Sequence, residues 1–165
     1  MELHKEQLAV SWGLVQQGSR AAGIDGMTVD LFAGDARAQI AWLYRQMRQE
    51  RYVASPAKGF YLAKKSGGQR LIGIPTVRDR IVQRYLLQSI YPKLESAFSE
   101  AAFAYRPGLS IYSAVDRVMQ RYQHQPAWVI KADIDQFFDH LSWPILLHQL
   151  DQLGLAAAWV DWIEQ

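Results

Sequence analysis

Trp128-Val129-Ile130-Lys131-Ala132-Asp133-Ile134-Asp135-Gln136-Phe137-Phe138-Asp139 is the stretch whose reading decides the fold. Its first half alternates with the period of a β-strand. Trp128, Ile130, Ala132 and Ile134 fall on one face, and Val129, Lys131, Asp133 and Asp135 on the other. Two aromatics and a further carboxylate follow at once, where a strand end would turn. A carboxylate at the end of a buried strand is costly unless a metal, an arginine or a helix start meets it. Asp133, Asp135 and Asp139 together suit a hard divalent ion, which prefers oxygen ligands. An EF-hand loop starting at Asp133 is excluded, because its glycine and glutamate positions hold Phe138 and Pro144. A plain strand capped by acidic groups at its exit accounts for the spacing equally well.

Working back from this stretch, Ser110 is a helix cap, and Ala114, Val115, Val118, Met119 and Tyr122 form the inner face of the helix that follows. Before it, Thr76 with Asp79 three residues on forms a shortened capping box. The helix it opens buries Ile81, Val82, Tyr85, Leu86 and Ile90 and is closed by Pro92. Gly59–Lys64 and Gln69–Ile74 flank Lys65-Ser66-Gly67-Gly68, which predicts a hairpin with a cationic tip and apolar arms. That glycine turn lacks the spacing of a nucleotide-binding P-loop. Earlier still, a first helix spans 3–17, Gly23–Thr28 is a tight turn, and Thr28 caps a short helix through Phe32. A further helix over 35–51 carries Ile40, Leu43, Tyr44 and Met47 on one face and Arg37, Arg45, Arg48 and Arg51 on the other. On the C-terminal side, Ser142 and Pro144 start a helix that Gly154 stops. Trp159, Val160, Trp162 and Ile163 make a final apolar helix, expected to be a surface covered by further chain.

Charge separates along the chain. The net charge is only +2, yet the window from Arg45 to Lys93 holds eleven basic and two acidic residues and carries +9, leaving −7 for the rest. A basic part beside an acidic part suits a phosphate-backbone binder with a metal site, although a solvated basic surface would also produce it. Absence of cysteine removes disulfides and thiolate metal sites. No apolar run approaches the ~20 residues of a membrane span, and the N-terminus is not a signal peptide. A cytoplasmic protein with no membrane partner is expected.

Several of these stretches resemble, in order and spacing, the reverse transcriptases related to group II introns. Asp133-Ile134-x-x-Phe137-Phe138-Asp139 is similar to their motif A. Gly23-Ile24-Asp25-Gly26-Met27-Thr28 is similar to the segment before the fingers that covers the template. Lys64 to Pro75 resembles the fingers motif, with Ala63 where the family has proline. Ile74-Pro75-Thr76-Val77-Arg78-Asp79-Arg80 follows the family pattern in full. Tyr105-Arg106-Pro107-Gly108 departs from it, since Ala104 and Tyr105 replace Gly-Phe.

The resemblance implies an α+β fold: reverse-transcriptase fingers and partial palm, mostly helical with a β-hairpin and a central palm strand. It divides the chain into an N-terminal helix (1–20), a fingers region (21–125) and the start of the palm (126–165). It implies RNA-directed DNA polymerase chemistry, with Asp133 catalytic and Asp133 and Ile134 at a Mg²⁺ site. Lys64 and Arg70 grip the triphosphate of the incoming dNTP, chemically apt because arginine forks onto phosphate oxygens while lysine is a mobile point charge. Phe138 packs under its sugar. Arg78, Arg80, Arg84 and Arg106 are assigned to the nucleic acid, although simple solubility also accounts for the arginines of the helix after Thr76.

The implied partners are an RNA template, a DNA primer, a dNTP, and the palm and thumb that lie C-terminal to this region in the family. CRISPR-associated spacer-acquisition enzymes share these motifs, so CRISPR integrase proteins are a further partner the resemblance allows. Two-metal phosphoryl transfer needs several converging carboxylates. The sequence has no adjacent acidic pair such as the family's Tyr-x-Asp-Asp, and no Pro-Gln-Gly segment. It therefore reads as an N-terminal piece, inactive alone. The competing reading is a nucleic-acid-binding or assembly module without catalysis.

Overall fold

The computed structural model describes residues 3–65, 67–122, 128–134, 136–138, 140–155 and 157–164. The elements run α1 (Lys5–Gln16), α2 (Val29–Gly34), α3 (Ala36–Arg48), β1 (Lys58–Ala63), β2 (Gln69–Ile74), α4 (Val77–Ala97), α5 (Ile111–Tyr122), α6 (Trp143–Gln152) and α7 (Ala157–Glu164). It is an α+β arrangement of helices with one antiparallel hairpin.

The apolar stripe read in α4 is what α1 and α7 pack on. Val77, Ile81, Val82, Tyr85, Leu86 and Ile90 are buried, with Leu8, Trp12 and Val15 of α1 and Ile40, Leu43 and Met47 of α3 in the same core. Ser11 is fully buried and satisfied. Its Oγ lies within hydrogen-bond distance of the Gln7 carbonyl (2.9 Å) and of the Gln88 side-chain amide (2.8 Å), so a polar pair joins α1 to α4. Trp12 and Phe32 meet at 4.5 Å between ring centroids and seat α2.

Capping follows the sequence. Thr28 accepts from the Leu31 N–H at 3.2 Å and Thr76 from the Asp79 N–H at 3.2 Å. Ser110 accepts from the Ser113 N–H at 3.2 Å. Gly154 ends α6 at φ +66°, where a side chain would be strained.

Four expectations are corrected. Pro92 does not close its helix, for α4 continues through Ala97. An internal proline removes a hydrogen bond and crowds the preceding turn, at about 3 kcal/mol. Contacts beyond it offset that cost. Leu94 packs on the core, and Lys93 Nζ donates to the Gly154 carbonyl at 2.6 Å. Second, the final helix is not an open apolar surface. Trp159 is buried and stacks on Tyr85 at 5.6 Å, and Val160, Trp162 and Ile163 pack against the same core.

Third, α5 buries none of its residues. Val115, Val118, Met119 and Tyr122 are all exposed. The pattern is amphipathic, but no described element lies on that face. Fourth, 128–134 forms no strand, and Trp128, Val129 and Ile130 are about nine-tenths or more exposed. A strand needs a neighbour to take its N–H and C=O groups. Among the described residues the two strands pair only with each other. Asp135 and Asp139, and the turn read through Asp135, lie outside the described residues.

Candidate nucleotide and nucleic-acid interface

Register places the two fingers cations. Leu62 lies opposite Arg70 and Ala63 opposite Gln69, and the Lys64 N–H continues the ladder to the Gly68 carbonyl at 3.0 Å. Cross-strand partners share a face and side chains alternate, so Lys64 and Arg70 are diagonal neighbours on one face. Such neighbours are roughly 7–8 Å apart. Gly67 and Gly68 make the turn with φ of +90° and +81°. Both cations are exposed, and neither has an ion-pair partner among the described residues. The arms are apolar but uncovered, with Phe60, Leu62 and Leu71 exposed. The hairpin stands clear of the core and presents two free cations side by side.

Arginines expected on nucleic acid divide into two kinds. Arg84 is exposed on α4 without an ion-pair partner among the described residues. Arg78, Arg80 and Arg106 are engaged internally. Arg78 donates from Nε and Nη2 to Gln39 Oε1 (3.1 and 2.7 Å) and lies 4.9 Å from the Trp42 ring centre, joining α4 to α3. Arg80 donates to the carbonyls of Ser19 (2.5 Å) and Ala21 (2.6 Å), with its Nε buried and unpartnered among the described residues. Burial lowers the Arg80 guanidinium below its ordinary value, and Asp25 partly offsets this. Arg106 pairs with Glu95 at 2.5 Å and donates to the carbonyls of Ser99 (3.0 Å) and Ala102 (2.7 Å).

The same neighbourhood shows what sequence reading missed. Asp79, read as a cap, is a buried hub. Its carboxylate accepts from Tyr52 Oη (2.6 Å), Thr76 Oγ1 (2.6 Å) and the Ser55 N–H (3.3 Å). Burial, then the bond to Asp79, raises the Tyr52 phenol well above its ordinary range. A lone carboxylate between Arg78 and Arg80 in the helix's first turn was the available signal. Gly23 is buried too: a Cβ there would sit 2.6 Å from Thr76 Cα and 2.8 Å from its nitrogen. The Gly23–Thr28 turn is thus seated on the start of α4, with Asp25 accepting from the Met27 N–H at 3.1 Å and Arg80 holding its approach.

The described motif A residues are not gathered into a centre. Asp133 and Ile134 are exposed, and Asp133 makes no ion pair among the described residues. Phe138 is 82% exposed and meets Phe137 edge to face at 5.3 Å. Among the described residues no three acidic, histidine or cysteine side chains converge as metal ligands. Among the described residues this stretch offers a single carboxylate, which by itself does not fit a two-metal centre.

With these sites placed, comparison with known proteins fixes the family. The family described as reverse transcriptase (RNA-dependent DNA polymerase) matches residues 62–165. The chain belongs to that family. It is 29% identical over 138 residues to Protein YkfC of Escherichia coli, covering 81% of this chain and 36% of that protein. Over 128 residues it is 27% identical to the group II intron-encoded protein LtrA of Lactococcus lactis, 75% of this chain and 21% of that protein. A shorter match of 65 residues, 37% identical, is to the nuclear intron maturase 2, mitochondrial, of Arabidopsis thaliana, 39% of this chain and 9% of that protein. The chain therefore spans about a third or less of the length of these relatives. They support the group II intron-like branch, and nothing among them supports a CRISPR-associated lineage. The family generally uses Mg²⁺. Among the described residues, no helix is long and apolar enough to cross a membrane.

Proposed function

We propose that this chain is the fingers and early palm of an RNA-directed DNA polymerase, holding the template–primer and the incoming deoxynucleotide. The observation that carries this is the pair Lys64 and Arg70, diagonal on one face of an exposed hairpin and free of carboxylates. Paired cations without partners suit a triphosphate better than they suit folding. Arg84 contacts the nucleic-acid backbone. Arg78, Arg80 and Arg106 serve it indirectly, by fixing the surfaces around it. Asp133, with Ile134, is the part of the Mg²⁺ site contributed here, and Phe138 lies beside the sugar. These motif A roles require 128–134 to pair with a neighbouring strand.

The test is photo-crosslinking of a photoreactive deoxynucleoside triphosphate to the purified chain in the presence of RNA–DNA template–primer. A charge-assisted hydrogen bond contributes about 1.5–3 kcal/mol, so Lys64→Ala or Arg70→Ala should each reduce crosslinking roughly tenfold or more. Crosslinking that is the same in both variants and the parent would refute the assignment.

A further inference from the structure

Helix α3 carries a second cationic surface that the motifs do not include. Its sequence, Ala36 to Arg48, contains no acidic residue. At 100° per residue, Arg37 and Arg48 lie about 20° apart around the axis and Arg45 about 80° from Arg37. Over its length the row spans roughly 16 Å. Ile40, Leu43 and Met47 face the core, and Gln39 and Trp42 face Arg78 of α4. The arginines point away from both contacts and are exposed.

Two features separate this row from ordinary solvated charge. Arg45 and Arg48 lie in the last turn, where the helix dipole favours cations, and on their own they would need no further explanation. Arg37 is the second residue of the helix, at the positive end, where a cation is disfavoured. No carboxylate compensates it: Asp35 and Glu50 flank the helix, yet neither pairs with any of the three arginines. Around them the face is low. Ala41 lies between the arginines and Ala38 beside Arg45, so a polyanion can approach the helix closely.

We infer that Arg37, Arg45 and Arg48 form a docking face for the phosphate backbone of a nucleic-acid duplex, on an element separate from the nucleotide-holding hairpin. This rests on the proposed function. A duplex fits better than a single strand. Single strands are held by stacking bases on aromatic rings, and this face offers alanines, with the half-buried Tyr44 at one edge and, at the other, Trp42 already taken up by Arg78. A rigid row of cations matches a rigid row of phosphates, read without base contacts.

Fluorescence anisotropy of the whole chain with a labelled RNA duplex and an RNA–DNA hybrid, over a series of KCl concentrations, tests this. Each neutralised phosphate contributes roughly 0.9 to the log–log salt slope. The triple variant R37Q/R45Q/R48Q should therefore lose about 2 to 3 from the slope, while R37K/R45K/R48K keeps it. Circular dichroism should show both folded, since all three side chains are exposed. An unchanged slope in the glutamine variant overturns the inference. So does an equal loss on a single-stranded RNA of the same length. In either case the Lys64 and Arg70 crosslinking result stands separately, so the two failures can be told apart.

Discussion

Arginine is the residue type whose role the sequence leaves most open, since one guanidinium can serve a phosphate or a backbone carbonyl. Arg80 and Arg106 are bound to carbonyls, and only their surroundings reveal it. The Arg106–Glu95 pair should make a measurable difference. Hydrogen bonding from Arg106, then from Tyr91, holds the Glu95 carboxyl below its ordinary value. A folded-state pKa lowered in this way stabilises the fold above the unfolded carboxyl's pKa, about 4.3. The contribution is lost as pH falls through the lower, folded value. Glu95→Gln should therefore lower Tm at neutral pH, and the gap between variant and parent should close in acid. Thermal melts at a series of pH values measure it, and a gap that stays constant into strong acid would exclude the ion pair as its source.

Elements were legible where the sequence carries its own start and stop signals. Thr28, Thr76 and Ser110 cap the helices they were expected to cap, and Gly67-Gly68 closes the predicted hairpin. Elements that depend on a distant neighbour were not legible. The alternation over 128–135 correctly marks a strand-like composition, but pairing is a property of two segments, and 128–134 has no described strand to pair with. Likewise α5 has the pattern of a buried helix without burial. The Gly23–Thr28 turn lies between these cases: its sequence indicates a turn, while its seat against Thr76 appears only in three dimensions. Gly23→Ala should push a methyl into the Thr76 backbone, which cannot yield as a flexible side chain would. Overpacking of this kind costs about 1–3 kcal/mol. Chemical denaturation should show that loss, with faster amide exchange over 19–28 than elsewhere. A variant as stable as the parent would mean that the turn is not fixed to α4.

The same separation holds for the molecule and bears on what it can catalyse. The core is complete enough to draw α1 and α7 onto α4, and Trp159 near the C-terminus stacks on Tyr85 in its middle. The two cations proposed to hold the nucleotide stand on the hairpin that leads into α4. The chemistry is not in place. In-line displacement at phosphorus requires two ions clamped by several carboxylates, and among the described residues Asp133 belongs to no cluster of three or more metal-ligating side chains. Nor does the sequence contain an adjacent acidic pair to supply the second ligand set. Binding and catalysis should therefore separate in the purified 165-residue chain. It should bind an RNA–DNA template–primer with a strong salt dependence, and Lys64→Ala should weaken nucleotide crosslinking. Incubation with the four dNTPs and Mg²⁺ should leave the primer unextended. Asp133→Asn should change neither the template affinity nor the crosslinking yield, because one exposed carboxylate removed from an open segment alters no contact. Template-dependent extension that Asp133→Asn abolishes would show that Asp133, Asp135 and Asp139 make a working centre by themselves. Extension that survives the substitution would remove Asp133 from the catalytic assignment.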